Sequence, residues 1–514
     1  MKKLFMASLV LLLLLTAVIF ALPLVISSES VKTSLLAHAQ KITGREMQFT
    51  GNPQVSFRPF LGIEINNVVF HDQFGPDGSK PLLQMPKLKG KLSLTAALTG
   101  QVEMSEFQFV RPLFNLKKFS TGQTSWHFPE GKVWDSLAQM QQLISNQKPG
   151  EAIDMSQLRA LDIGSFSILD GVLEYENEIN GSVETFTNLN ASSNWNTTNS
   201  AWTFSGSTIW RGDLMEFQSS VSTPLMLMAG GVSDIEFDVK SEPINLEYTG
   251  KINNQSNLYF DGEVALTSPS LRRVLNLLGN ELEPSTSLGQ FSLAGMLTGT
   301  LNEMKIQDSN ISINADEANG NVSYRLNDDG KMRLNGTLAF AEINLAPYIG
   351  EGSDSEAVVG SGLSSLHQLD QLEMDLRISS EEVVFNKSVF TNFAGGLITK
   401  AGKLTLDIGN TDFAEGTMVG SISAERIDNE LEFATNINLS EINTAQLMPS
   451  EFETQIWPMA KGNIDLMLKS SGKNSTELTR NLTGDLEISL QEGELDGVNL
   501  QAIKSQEGEK VVAV

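Results

Sequence analysis

Apolar and polar residues change rhythm twice along this chain. From Leu4 to Ile26 the sequence is apolar apart from Ser8, Thr16 and Pro23. From Ser30 to Gly44 the apolar residues Val31, Leu35, Ala39 and Ile42 fall at helical spacing, and Gly44 stands where a C-terminal cap would. Beyond Gly44 the period drops to two. Phe49, Val55, Phe57, Ile63, Ile65 and Val69 lie in short runs broken by Gly, Pro and Asn, which predicts strands.

The alternation is clearest from Asn321 to Phe340. Val322, Tyr324 and Leu326 alternate with polar residues, Asp328-Asp329-Gly330 predicts a turn, and Met332, Leu334, Leu338 and Phe340 continue the pattern on the return. The same design recurs at Leu404, Leu406 and Ile408, at Ile464, Leu466 and Leu468, and at Leu486, Ile488 and Leu490. The expected fold is therefore mainly β, built of strands of about five to eight residues joined by Gly-containing turns, with no constant repeat length. Three helices interrupt it. One starts at Ser268-Pro269, with Ser as N-cap, and ends at Gly279; one runs through Trp134, Leu137, Met140 and Ile144; one surrounds Leu447 to Trp457. Residues 351–365, rich in Ser, Gly and acid, predict a mobile loop.

The first apolar run is longer than the region of about 7–15 residues found in a cleavable signal. It suffices for the roughly 20 residues that cross a bilayer. Lys2 and Lys3 precede it and Ser28-Glu29-Ser30 follows. The expectation is an uncleaved anchor over residues 4–26, with a cytoplasmic tip at 1–3 and the rest exported. In a Gram-negative cell that places the body in the periplasm.

Composition narrows the chemistry. With 514 residues, 36 Lys+Arg, 62 Asp+Glu and a net charge of −26, the chain presents no phosphate-neutralising surface overall, so nucleic acid is not expected as a partner. Residues 1–120 hold 13 Lys/Arg and 7 Asp/Glu, a net +6, which leaves −32 on the remainder: a basic end by the membrane and an acidic body in water. Without cysteine there is no thiol nucleophile, disulfide or iron–sulfur cluster. His38, His71, His127 and His367 form no i, i+4 pair, and no nucleophile-elbow motif occurs. Gly396 to Leu404 has the wrong spacing for a phosphate loop and reads as a turn between strands. The expectations are no enzyme, no cofactor and no metal.

What remains is a sheet with an apolar and a polar face. That face is either an ordinary sandwich core or a groove for apolar ligands. The second is chemically attractive because a sixteen-carbon acyl chain in water costs on the order of 12 kcal/mol. An alternating sheet can curl to leave its inner face open to such a chain.

Several motifs resemble the AsmA family. Val31-Lys32 to Thr43-Gly44-Arg45, then Phe49 and Gly51, then Val55 to Pro59, Leu61, Gly62 and Ile63 follow its N-terminal pattern of a helix, "TGR", a strand with Gly, and "P-x-L-G". Pro81-Leu82-Leu83, Gly100-Gln101-Val102 and Val110-Arg111-Pro112 continue it. The usual "dGxxNW" element is similar to Thr121 to Trp126, where Gly122 and Trp126 remain. Near the C-terminus Gly462 to Leu466, Ser471-Gly472, Glu477 to Gly484 and Gly493 to Leu500 match its terminal motif. The motifs cover about the first 125 residues and about 440–500, and the middle is similar in style only. The chain ends at Val514, earlier than relatives do, so a truncated or shortened C-terminus is expected.

The resemblance implies a mainly β protein: a transmembrane helix, then a long, curved, antiparallel-rich sheet shaped as a groove, with a few short helices. It implies an N-terminal module at 27–125, a β-rich middle at 126–439 and a motif region at 440–514. It implies an inner-membrane protein that supports outer-membrane assembly and lipid homeostasis by binding or conducting phospholipid. The partners would be membrane lipids, and outer-membrane assembly proteins if it acts instead as a non-conducting scaffold. Thr43, Gly44, Arg45, Pro59, Leu61, Gly62, Gly122 and Trp126 would be structural, with a second reading in which Arg45 reaches acidic headgroups. The apolar residues of the four alternating stretches above would line the groove.

Overall fold

A bulge inserts one residue into a strand and moves the following side chains to the other face. Such bulges decide how this chain folds. In the computed structural model described here, Asn67, Asp170, Asn188, Asp308, Asn392 and Glu441 adopt positive φ inside strands. Asn and Asp tolerate that conformation best. The freed backbone groups are tied down by the next strand: the Asp170 amide donates to Asn190 Oδ1 at 3.0 Å, that of Asp308 to Asn321 Oδ1 at 3.2 Å, and that of Glu441 to Asn463 Oδ1 at 2.9 Å. The Asn content thus serves bulges as well as turns.

The structure describes residues 28–56, 62–72, 80–92, 104–126, 130–147, 153, 162–255, 257–278, 288–327, 331–349, 372–385, 388–427, 430–447, 458–473 and 475–495. The predicted anchor, Pro59, Leu61, the Asp328-Asp329-Gly330 turn, the 351–365 segment and all but the first residue of the predicted helix at 447–457 lie outside them. Among the described residues no helix is long and apolar enough to cross a membrane.

The chain divides into two compact units, residues 1–262 and 263–514. In the first, helix α1 (Ser28–Thr43) precedes β1 (Met47–Ser56), β2 (Gly62–Phe70), β3 (Leu83–Leu92), β4 (Met104–Val110) and β5 (Leu113–Lys118). Helix α2 (Lys132–Asn146) leads to β6 (Asp162–Asn177), β7 (Ser182–Thr197), β8 (Trp202–Trp210) and β9 (Asp213–Val221). Helix α3 (Pro224–Met228), β10 (Val232–Ser241), β11 (Asn245–Asn253) and β12 (Tyr259–Ser268) follow, and the boundary between units falls within β12. β1 to β4 and β6 to β11 pair antiparallel with their sequence neighbours, β5 pairs antiparallel with β3, and β4 and β5 each pair parallel with β6.

The second unit holds α4 (Leu271–Leu277), β13 (Phe291–Thr300), β14 (Glu303–Ile313), β15 (Asp316–Leu326), β16 (Met332–Asn344) and α5 (Ala346–Ile349). Then come β17 (Leu372–Phe385), β18 (Ser388–Lys400), β19 (Lys403–Phe413), β20 (Gly416–Ile427), β21 (Glu430–Asn443), β22 (Pro458–Gly472), α6 (Ser475–Arg480) and β23 (Thr483–Leu495). From β13 to β23 each strand pairs with the next, antiparallel except for the parallel β16–β17 pair. The expected mainly β fold with few short helices is what the structure shows, and its sheet is mixed, with three parallel pairs among antiparallel ones.

Three local expectations are corrected. The strands from β14 to β23 run 11–15 residues rather than five to eight. The period-two pattern breaks at each bulge while the backbone continues. Helix α4 is capped by Ser270, whose side chain accepts from the Arg273 amide, not by Ser268, because β12 runs through Ser268 and Pro269 precedes the cap. Its last helical residue is Leu277, short of Gly279. The Gly396–Leu404 segment is strand up to Lys400, and the turn is confined to Ala401-Gly402.

Candidate functional site

Two groups of residues singled out by the sequence converge in space. The first is a clasp beside α1. Thr43 Oγ1 donates to the Ala39 carbonyl at 2.7 Å and accepts from the Arg45 amide at 3.1 Å. Gly44 caps α1 with φ +70°, and a Cβ there would sit 2.5 Å from the Glu130 carbonyl oxygen. These constraints turn Arg45 inward. Its guanidinium donates to the Ser125 carbonyl at 2.7 Å and the His71 carbonyl at 3.3 Å, and the residue is 1% exposed. Burial lowers its pKa, against an opposing pull from Asp72. Ser125 is in turn fixed to β5, its Oγ accepting from the Lys117 amide at 2.9 Å. Gly122, at φ +86°, makes the turn that brings Ser125 back, and Trp126 stays partly exposed with its ring 6.2 Å from Tyr175. Gly62 is buried at the start of β2, opposite Ser56 and Lys91.

Thr43, Gly44, Arg45 and Gly122 thus each hold local backbone geometry. The second reading of Arg45 is corrected: a guanidinium held by two backbone carbonyls in the interior has no reach to a headgroup. Next to the clasp, Leu35 of α1 lies with Met47, Ile63, Ile65, Val68, Met85 and Leu88 in a core over the first three strands.

The second group is the set of sixteen alternating apolar residues, and the register places all of them on one face. Tyr324 lies opposite Leu334, and Leu334 opposite Met374. Leu397, Leu406 and Ile422 follow one another across β18, β19 and β20. Ile437, Leu466 and Leu486 do the same on the last three strands, as do Leu439, Ile464 and Ile488. Leu468 lies opposite Thr435, and Leu490 opposite Gly462. Val322, Leu326, Met332, Leu338 and Phe340 share the face through the β15–β16 register, as do Leu404 and Ile408 on β19.

The rows from Met304–Tyr324–Leu334 to Ile311–Ala318–Phe340 carry no charged residue, while Asp316, opposite Ile313, and Arg426, opposite Leu431, share the face at its two ends. The opposite face carries cross-strand ion pairs such as Arg325 with Glu303, at 2.7 Å, and Arg333 with Glu373. The bulges preserve this sorting. After the shift between Ile408 and Thr411 the inward positions become Thr411 and Phe413, so the face continues past the bulge.

The face is open. Leu338 and Ile408 are buried, but Leu326, Met332, Leu486, Ile488 and Leu490 are exposed, Leu486 at 60%. The other nine are half-buried. A sandwich would bury the central residues of such a face, so the sandwich alternative does not describe these strands. From Leu334 to Phe340 the apolar positions span about 20 Å of strand, at roughly 3.3 Å per residue. One leaflet's acyl chains fill about 15 Å of a bilayer core. The stripe is wide enough to hold one.

Sequence reasoning missed a comparable face in the first unit. Phe166, Ser193, Phe204, Ser219, Phe237 and Tyr248 form one row across β6 to β11. Trp195 and Trp202 flank it, with rings 6.4 Å apart. Phe204 and Phe217 stack at 5.1 Å. The signal was the alternation of Trp202 with Phe204 and of Ile235, Phe237 and Val239, diluted by Ser and Gly partners that make room for the rings. Helices α2 and α3 close one corner through Met140, Leu225 and Ala229 against Trp195.

Among the described residues no group of His, Asp and Glu could hold a metal ion. What the geometry defines is a class of protein: a β ladder that presents a wide, uncharged, uncovered face. The chain belongs to the AsmA family, whose sequence profile matches residues 1–354 and 353–511. The likeness therefore extends through the middle region, beyond the stretches that carry its motifs. No curated protein matches the chain. Membership supports a general role in outer-membrane assembly and lipid-related function.

Proposed function

We propose that the chain is an inner-membrane-anchored periplasmic protein that holds phospholipid acyl chains on its uncharged face and so carries lipid in support of outer-membrane assembly. The carrying observation is the face from β14 to β23. Its central rows are long, free of charge and open to solvent, a costly surface to leave wet unless an apolar ligand covers it. Residues 4–26 supply the anchor, with the N-terminus in the cytoplasm. No chemical step is assigned; the face binds and does not react.

The test is photo-crosslinking in cells that express the full chain, with a photoreactive residue at Leu406 on the face or Thr405 on the opposite side. Phospholipid adducts at Leu406 and none at Thr405 are expected. Adducts only to outer-membrane proteins at Leu406 would replace the lipid reading with the scaffold reading.

A further inference from the structure

Two helices pack on apolar residues of the first unit's sheet, and they do so differently. Helix α1 belongs to a core: Ile63, Ile65, Val68, Met85 and Leu88 beside it are at most 5% exposed. Helix α2 meets the sheet at Trp195, which stays half-buried, as does its neighbour Trp202. The contact is made by Met140, at 0% exposed, with Leu137 and Ile144 around it, and these residues rest on Leu225 and Ala229 of the α3 turn. The Trp202 indole donates to Ser193 Oγ at 2.8 Å. Trp195 Nε1 is buried and meets no acceptor among the described residues. A buried donor without a partner is unfavourable, so an occupant that brings an oxygen to this corner competes well with α2.

Helix α3 is fixed in place, because two residues join it to β9 and three join it to β10. Helix α2 has room to move. Its start is held where the Glu130 carbonyl packs on Gly44 of the clasp. Gly131 follows at φ +96°, and no side chain caps the helix there. At its other end fifteen residues, Gln147 to Leu161, separate α2 from β6. A tether of that length reaches up to about 50 Å, so α2 can lift without disturbing β6. Gln139, Gln141, Gln142 and Asn146 are exposed on its outer side. An acyl chain that slid beneath α2 would take the place of the tryptophans against its apolar stripe, and the stripe would stay out of water.

We infer that α2 is a hinged cover of the lipid path: in the empty protein it closes the Trp195 corner of the apolar face, and an arriving acyl chain displaces it by lifting it about Gly131. The inference rests on the lipid reading above and adds to it a gated point of entry in the first unit.

The experiment uses the full chain in non-ionic detergent with dioleoylphosphatidylethanolamine. A photoreactive residue stands at Trp195 or, in a parallel sample, at Leu406 of the second unit. Met140→Cys/Ala229→Cys places one thiol pair across the α2–α3 contact of a chain that has no other cysteine. Oxidation of this pair should lower the lipid adduct at Trp195 about tenfold, because the open state is no longer populated. Dithiothreitol should restore it, and the Leu406 adduct should not change. Leu137→Asn/Ile144→Asn weakens the same contact and should raise the Trp195 adduct above that of the parent. Equal labelling at Trp195 before and after oxidation, or no rise in the asparagine variant, overturns the cover and leaves the groove standing. A thiol pair that does not oxidise also overturns it, since α2 would then not rest on α3. So does a loss at Leu406 that matches the loss at Trp195, which would report distortion of the whole chain. No adduct at either position in the parent removes the lipid reading and the cover together.

Discussion

Leu406 sits near the middle of the uncharged face, with Leu397 on one side and Ile422 on the other. Replacing it with Glu puts a carboxylate where an acyl chain is proposed to lie. The residue is half-buried, so the carboxylate stays hydrated in the empty protein and the fold loses only about 1 kcal/mol of apolar burial. With lipid bound, the same carboxylate is covered by hydrocarbon. A charge at the centre of a bilayer costs about 2.5–3.5 kcal/mol on insertion scales. Allowing for partial escape to water, about 2–3 kcal/mol remains, a roughly 30- to 150-fold loss of occupancy. Thr405→Glu provides the control, because the adjacent residue of the same strand faces the polar side, opposite Ile398 and Ser423. The assay is phospholipid crosslinking from a photoreactive residue at Leu466, three strands away, with circular dichroism confirming that both variants fold. If folded Leu406→Glu keeps lipid within twofold of the parent, or if Thr405→Glu loses as much, the face is not what holds the acyl chains.

Arg45→Met should destabilise the first unit by about 2–4 kcal/mol in chemical unfolding, because it removes two charge-assisted bonds and leaves the Ser125 and His71 carbonyls without that donor; a loss below 0.5 kcal/mol would show that the clasp is not structural. Gly44→Ala should cost at least about 1 kcal/mol, since its φ of +70° is strained for a side chain and the new Cβ would meet the Glu130 carbonyl; unchanged thermal unfolding would contradict it. Burial and the hydrogen bond to Asp316 push the Tyr348 phenol up to about 12. In the unfolded chain it ionises near 10. Spectrophotometric titration should therefore show a late component that Tyr348→Phe reduces, and the stability Tyr348 lends should be complete below pH 10 and fade as pH rises through 12. Amides of β23, exposed from Thr483 to Gln491, should exchange with solvent faster than those of β18 to β20; equal protection would mean that something covers β23.

Alternation along the chain was enough to establish the β class, the β15–β16 hairpin and the membership of all sixteen residues in apolar faces. Facing in a strand is a local property with a period of two. The "TGR" and "TSW" elements were equally visible as sequence, but their meeting was not. Arg45 and Ser125 are 80 residues apart, and only the meeting of the turn that carries Ser125 with the end of α1 turns Arg45 from an available cation into an interior brace. Strand length was also hidden. A bulge reads locally as the end of an alternation, and it is the partner strand, through Asn321 or Asn463, that shows the backbone to be continuous. The sequence by itself determined which residues are apolar and how they alternate. The register between successive strands decided that those residues form one open, apolar surface.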